Sequence, residues 1–238
     1  MKIWIIIAKK FIMKRLIIAF TLFSLVSCTK DRNYPSTEEV VENPNSLLVY
    51  YWNFNSGTGN LSNVSPDFSL VANSNTKINY LGTGTSVMDS FSPAYTNNLR
   101  KDAVGGSGLR ARNPSNTKDL IIALPTTNFK NIIIKFATAR SGSGATTQNY
   151  SYTIDGTNYI NTDLNKNTFN PLEDPTPSTT PPSTTPVEVS LVSLDFRNIA
   201  GANDNPNFKL KISFAGATAS GTSGNNRFDN ISLDAEPK

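Results

Sequence analysis

The chain has no histidine and one cysteine, Cys28, in 238 residues. Without histidine it can form neither a Ser-His-Asp nor a Cys-His nucleophile arrangement. It has no imidazole to offer zinc, and one thiolate cannot build a zinc site. One cysteine also rules out an internal disulfide. What is left for catalysis is a carboxylate pair, a lysine-assisted Ser or Thr, or a Tyr. Long apolar runs are scarce too. After Cys28 no run approaches the ~18 apolar residues that a membrane helix requires. Helix formers such as Glu and Gln are sparse, whereas Ser, Thr and Asn abound, so strands and turns are favoured over helices. With 38% hydrophobic and 17% charged residues, 14 Gly and 14 Pro, the composition is that of a β-rich globular protein with polar loops.

The cysteine closes an apolar run. Lys14 and Arg15 precede 16–27, 12 residues without charge, a length suited to a signal-peptide core and short for a membrane span. Met13 directly precedes "KRLIIAF", which reads as the true start, with 1–12 lying ahead of it. The five cations Lys2, Lys9, Lys10, Lys14 and Arg15 all lie in this leader, so its removal turns the formal net charge from +4 to −1. No basic-patch argument for nucleic acid survives.

The step Leu25-Val26-Ser27-Cys28 resembles the bacterial lipobox. The resemblance implies a lipoprotein signal peptide at 1–27 and a mature chain starting at Cys28. That cysteine would carry diacylglycerol in thioether linkage and an amide-linked acyl chain such as palmitate, enough for a stable anchor. The alternative is an ordinary signal peptide with a chance cysteine. Lys30-Asp31 is similar to the lysine-plus-acid export signal of Bacteroidetes-type surface lipoproteins, with Arg32 standing where a second acid is expected. This implies an outer-membrane protein lipid-anchored at the cell surface, with the periplasmic face as the alternative. Residues 28–46, polar and with Pro35 and Pro44, read as a flexible tether.

From 47 to 238 the pattern is period-2 alternation in short segments, the sign of half-buried strands. "SLLVYYWNF" puts Leu48, Tyr50, Trp52 and Phe54 on one face. "KDLIIALP" aligns Leu120, Ile122 and Leu124, and "NIIIKFATA" aligns Ile132, Ile134 and Phe136. "FKLKISF" turns Phe208, Leu210, Ile212 and Phe214 inward, with Lys209, Lys211 and Ser213 outward. "YSYTIDGTNYI" suggests a hairpin on a two-residue Asp155-Gly156 turn of type I′. "VEVSLVSLDF" shifts its apolar register between Leu191 and Val192, which points to a bulge or to a strand buried on both faces. Roughly nine to eleven strands with no convincing helix predict an all-β fold, an antiparallel two-sheet β-sandwich of jelly-roll type. The low-complexity Pro/Thr-rich stretch 171–186 reads as an insertion within one sandwich, since about 50 residues follow it and they are too few for an easy core of their own.

Candidate sites are few. In "GNNRFDNISLDA" a regular strand over 227–234 would put Arg227, Asp229, Ile231 and Leu233 on one face. Asp229 would then point inward and need an Arg, backbone amides or a metal ion. A structural ion pair is one reading and a ligand or Ca²⁺ the other, with Asp204 between Asn203 and Asn205 as further oxygen donors. Arg110, Arg112, Arg140 and Arg227, grouped with Asp229, could hold an acidic sugar, because the guanidinium fork suits carboxylates. They could equally be ion-paired surface residues. Tyr95, Tyr150, Tyr152 and Tyr159 are the aromatic candidates for stacking on a sugar. Trp52 reads as core, as do Tyr150 and Tyr152, which alternate with Ile154. No carboxylate pair stands out, so the chain reads as a non-enzyme.

A sandwich opening on "YYWNFN" and closing on "RFDNISL", with "GSGLRARNP", "FATARSGSGA" and "NDNPNFKLKISF" between, resembles the jelly-roll domains of Bacteroidetes surface lipoproteins. It is also similar in layout to galactose-binding-like and carbohydrate-binding-module sandwiches. The resemblance implies a binding module with glycan as the favoured ligand. It transfers no ligand-contacting residues. A structural or adhesive protein that binds other proteins is the second expectation, and a glycan-active hydrolase the third.

Overall fold

The computed structural model describes residues 43–72, 75–92, 95–174 and 188–238. The leader, Cys28, the tether up to residue 42 and most of the 171–186 stretch lie outside the described residues. Within them, thirteen strands follow in order: β1 (Leu47–Trp52), β2 (Asn60–Leu61), β3 (Phe68–Ser69), β4 (Lys77–Gly82), β5 (Met88–Phe91), β6 (Gly108–Arg112), β7 (Lys118–Ala123), β8 (Phe129–Arg140), β9 (Thr147–Thr153), β10 (Thr168–Phe169), β11 (Ser190–Asp195), β12 (Lys209–Ala215) and β13 (Asn225–Pro237). One 3-10 turn, Ala200–Ala202, stands before β12.

The strands form two antiparallel sheets. The larger has eight strands in the order β11-β8-β13-β6-β5-β2, with β1 also on β13 and β3 on β1. The smaller has five, in the order β10-β9-β12-β7-β4. Most of the alternating residues meet in one core: Leu120, Ile122 and Leu124 of β7, Ile132, Ile134 and Phe136 of β8, and Phe208 with the even-numbered apolar residues of β12 lie there with Trp52, Tyr150 and Tyr152, whereas Leu48 is only half-buried and Ile154 is exposed. Aromatic rings tie the sheets together edge to face. Phe136 of the larger sheet meets Tyr150 of the smaller at 5.9 Å, and Phe214 meets Phe228 at 6.2 Å. This is a β-sandwich, as the alternation predicts.

One local expectation is corrected, and of the two alternatives for β11 the strand buried on both faces is the one found. Asp155-Gly156 is not a two-residue hairpin turn. Tyr152 instead bridges to Ile160, leaving a longer loop organised by Asp155, whose carboxylate accepts the N–H groups of Thr157 and Asn158 at 2.8 Å each. An Asp side chain that takes up two backbone donors gives the chain a wider turn than type I′. In β11 there is no bulge: 190–195 pairs in unbroken register with β8. Its mixed pattern arises because Val192 and Leu194 enter the core while Ser193, on the opposite face, is also buried.

The strand that matters most for the candidate sites is β13. Its first part, 225–228, pairs with β6, and its later part, 231–235, pairs with β1, along the same edge. On its other edge β8 runs the whole length, and the register slips between Asp229 and Ser232. The slip is a bulge at the changeover between the two partners. Asn230 sits in it with φ of 49°, a left-handed conformation that Asn tolerates better than most residues. The extra residue reverses the alternation: Phe228 lies in the core before the bulge, and Ile231, Leu233 and Ala235 lie in it afterwards.

Candidate functional site

The bulge overturns the expected orientation of Asp229. A regular strand would turn Asp229 into the core beside Ile231. The inserted residue places it on the outer face of the larger sheet. Even so it is 1% exposed, because the segment 95–100 lies across it. Asp229 accepts the N–H of Tyr95 at 3.3 Å and that of Asn230 at 2.8 Å. Backbone amides, not an arginine, therefore meet the carboxylate. Burial pushes its pKa well above the usual carboxylate range, against the pull of those two N–H donors.

The covering segment is tied down by amides. The Asn230 side chain donates to the carbonyls of Tyr95 (2.9 Å) and Asn97 (3.0 Å) and accepts from the Tyr51 hydroxyl at 2.7 Å. Asn98 donates to the Asn230 carbonyl at 2.6 Å and to the Ser232 hydroxyl at 3.1 Å. Tyr51, desolvated beneath this cover, has its pKa pushed up to about 12. Phe91, Tyr95, Ala137, Ala139 and Val189 form a small second apolar cluster on the same face.

The arginines do not gather around Asp229. Each pairs with a carboxylate other than Asp229, and two of them share one. Arg110 and Arg112 do share a face of β6, and both bind Asp89 of β5, at 2.9 and 2.6 Å. Arg140 pairs with Glu173 at 3.8 Å. Arg227 pairs with Asp174, both side chains almost wholly buried, and Asp174 also accepts the Tyr95 hydroxyl. Tyr95 is fully buried and cannot stack on a sugar. The expected arginine and tyrosine ligand set is thus divided among ion pairs, buried at Arg227–Asp174, partly buried at Arg110 and Arg112 on Asp89, and reaching solvent at Arg140–Glu173. Nor do Asp204 and Asp229 share a cation site. Asp204 binds the Asn128 amide and Lys238, and its own N–H bonds Phe129 at the start of β8. Asp229 pairs with Ala137 on the same strand, about 26 Å further along. Asn203 and Asn205 are likewise engaged, Asn203 accepting the N–H of Asn131 in β8 and Asn205 that of Asn207 in its own turn. Among the described residues no group of three or more His, Cys, Asp or Glu could hold a metal ion.

The outer face of the smaller sheet is open. Its registered rows can be read across four strands. Lys77 of β4, Ala123 of β7, Lys209 of β12 and Thr153 of β9 form one row; Asn79, Ile121, Lys211 and Ser151 form the next; Leu81, Asp119, Ser213 and Asn149 form a third. Between β4 and β12 these rows leave a groove of about 340 Å³ whose floor includes Ile121 and Ala123 and whose walls include Lys77, Asn79 and Lys209. On the β9 side the half-buried Tyr159 ring lies under the Lys211 ammonium, 4.6 Å from its centroid. The Tyr159 hydroxyl is held above the usual tyrosine range by burial and then by the charge of Asp119. A second groove, of about 520 Å³, follows the margin between β4 and β5, with Leu61, Tyr80, Leu81 and Met88 among its lining.

An apolar floor with amide, hydroxyl and ammonium walls can receive a chain that is apolar on its ring faces and polar at its edges. Sequence reasoning placed Lys209, Lys211 and Ser213 outward and considered Tyr159, but it did not single out the face. The missing information was the register, which sets Ala123 between Lys77 and Lys209.

No family model and no curated protein matches this chain. Among solved structures it is similar to the CBM22-2 xylan-binding domain of Paenibacillus barcinonensis Xyn10C, with 12% identity over 78% of this chain and 98% of that one, at a TM-score of 0.40. It is also similar to the enzymatically active domain of bacteriophage CBA120 tailspike protein 4, with 9% identity over 68% of this chain and 19% of that one, at a TM-score of 0.33. Neither likeness bears on the chemistry of the open face.

Proposed function

We propose that the chain is a non-catalytic glycan-binding module, held at the outer membrane by lipid on Cys28, with the open face of the smaller sheet as its recognition surface. The observation that carries this reading is the groove along β7, apolar below and polar on both walls. The strands place one carboxylate on this face, Asp119, whereas glycoside hydrolysis commonly uses two, ~5–9.5 Å apart. That favours binding over cleavage. The anchor rests on the "LVSC" step, and cell-surface display on Lys30-Asp31. No cofactor is needed for such a role. A panel of immobilised polysaccharides tests the reading: retention of the full chain by at least one, and loss of it on Ile121→Asp, is the expected result. Retention by none sinks it. Incorporation of an alkyne-labelled fatty acid, abolished in Cys28→Ser, tests the anchor.

One observation favours a protein-binding role instead. Leu81 is 55% exposed and Val87 39%, and both line the groove between β4 and β5. An apolar margin beside an edge strand suits a protein partner. Leu81→Lys would then weaken partner capture and leave polysaccharide retention intact.

A further inference from the structure

The charge of the open face differs from that of the chain. Without its leader the chain is at −1, yet the rows across β4, β7 and β12 carry Lys77, Lys209 and Lys211 against the single carboxylate of Asp119. Two of the lysines are placed by register on either side of the smallest floor residue: Lys77 and Lys209 are both direct partners of Ala123. Adjacent strands lie ~4.8 Å apart, so the two lysine backbones stand about 10 Å apart with Ala123 midway. The Lys209 ammonium donates to the Gly156 carbonyl at 3.0 Å and keeps two further N–H donors. Lys211 is steered over the Tyr159 ring, which leaves its charge on the face.

We propose that this groove selects anionic polysaccharides, with Lys77 and Lys209 pairing with carboxylate or sulfate groups on a chain whose ring faces rest on Ala123 and Ile121. The inference rests on the glycan-binding reading and adds the ligand class. Lysine suits such a role because a compact ammonium on a flexible stem can follow charges at varied positions along a polymer, where a rigid guanidinium fork demands one geometry. Arg110, Arg112, Arg140 and Arg227, by contrast, are committed to carboxylates away from this face, at Asp89, Glu173 and Asp174. A neutral polysaccharide would leave the Lys77 and Lys209 ammonium groups facing its hydroxyls without charge compensation, so the same groove discriminates against it.

The test uses the full chain in detergent with three probes: polygalacturonate, the same polymer fully methyl-esterified, and dextran sulfate. Retention is read by affinity electrophoresis at fixed salt. At least one anionic polymer is expected to retard the protein about tenfold more strongly than the esterified polymer, because charge-assisted contacts add to neutral ones. The Lys77→Gln/Lys209→Gln double variant should lose that advantage, while Lys130→Gln, an exposed lysine of β8 on the other sheet, should keep it. Preference for polygalacturonate assigns the anion as carboxylate, and preference for dextran sulfate as sulfate. Either supports the inference. Equal retention by the esterified polymer overturns the anionic selectivity and leaves the glycan-binding reading standing. Anionic retention unchanged in the double variant also overturns it. Retention by none of these probes, nor by any neutral polysaccharide, overturns both.

Discussion

Both sheets of the sandwich send one set of side chains into a shared core, yet their outer faces end differently. On the larger sheet Tyr51, Lys135, Ala137, Ala139, Arg227, Asp229, Ser232 and Asp234 are all buried, because a segment of the chain crosses over them. On the smaller sheet the corresponding positions, Thr153 apart, stay at least partly accessible and carry Lys, Asn and Ser beside Ile121 and Ala123. The first face has spent its polar groups on one another; the second still has its polar groups to offer. Alternation alone makes the two look alike, since both faces are polar or mixed in sequence. A polar outer face is therefore not a binding surface until the course of the loops is known.

Several changes would break or sharpen that contrast. The largest effect belongs to the sealed face. Arg227→Ala leaves Asp174 buried without its guanidinium and should cost ~3–5 kcal/mol. At this size each kcal/mol moves the melting temperature by ~2–4 °C, so a drop of more than 6 °C in a thermal melt is expected, and a drop under 2 °C would show that the pair is dispensable. Asp229→Ala strips acceptors from the Tyr95 and Asn230 amides and should cost ~1–3 kcal/mol, again read as a lowered melting temperature.

The pH dependence follows from the same carboxyl. Its pKa in the fold lies above that of the unfolded chain. The folded state therefore keeps a proton over a range in which the unfolded state has lost it, so stability is greatest at and below the ordinary carboxylate range and declines as pH rises towards the folded pKa. Asp229→Asn has nothing to ionise there. Between pH 4 and pH 8 the wild-type melting temperature should fall relative to that of Asp229→Asn, and parallel curves would contradict this. The smallest effect is on the open face: Lys77→Gln and Lys209→Gln should each change stability by less than about 0.5 kcal/mol while altering polysaccharide retention. A large loss of stability there would mean that these lysines hold the fold together and have no ligand role.

Much of the fold was legible because burial imposes a period. Leu120, Ile122 and Leu124 could be assigned to the core from their spacing alone, as could Phe208, Leu210, Ile212 and Phe214. The candidate site was less legible. Asp229 was singled out as a carboxylate needing partners, and it has them, but its face was misassigned. One extra residue at Asn230 inverts every side chain beyond it, and nothing in "FDNIS" announces that β13 changes partner from β6 to β1 at that point. Asp89 and Asp174, the counter-ions of three of the named arginines, stand far from them along the chain, so no local spacing could pair them. Lys77 drew no notice because its meaning depends on Ala123 and Lys209, which come from two other strands.

The sequence by itself determined what this protein cannot do and what its core contains. Absent histidines and a lone cysteine exclude whole chemistries whatever the fold, and two-residue periodicity assigns the inward residues because apolar side chains must leave water. Only the tertiary structure decided which polar face is sealed and which is open. That choice depends on a covering segment and a bulge that bring together residues distant in sequence, and local pattern carries no record of such contacts.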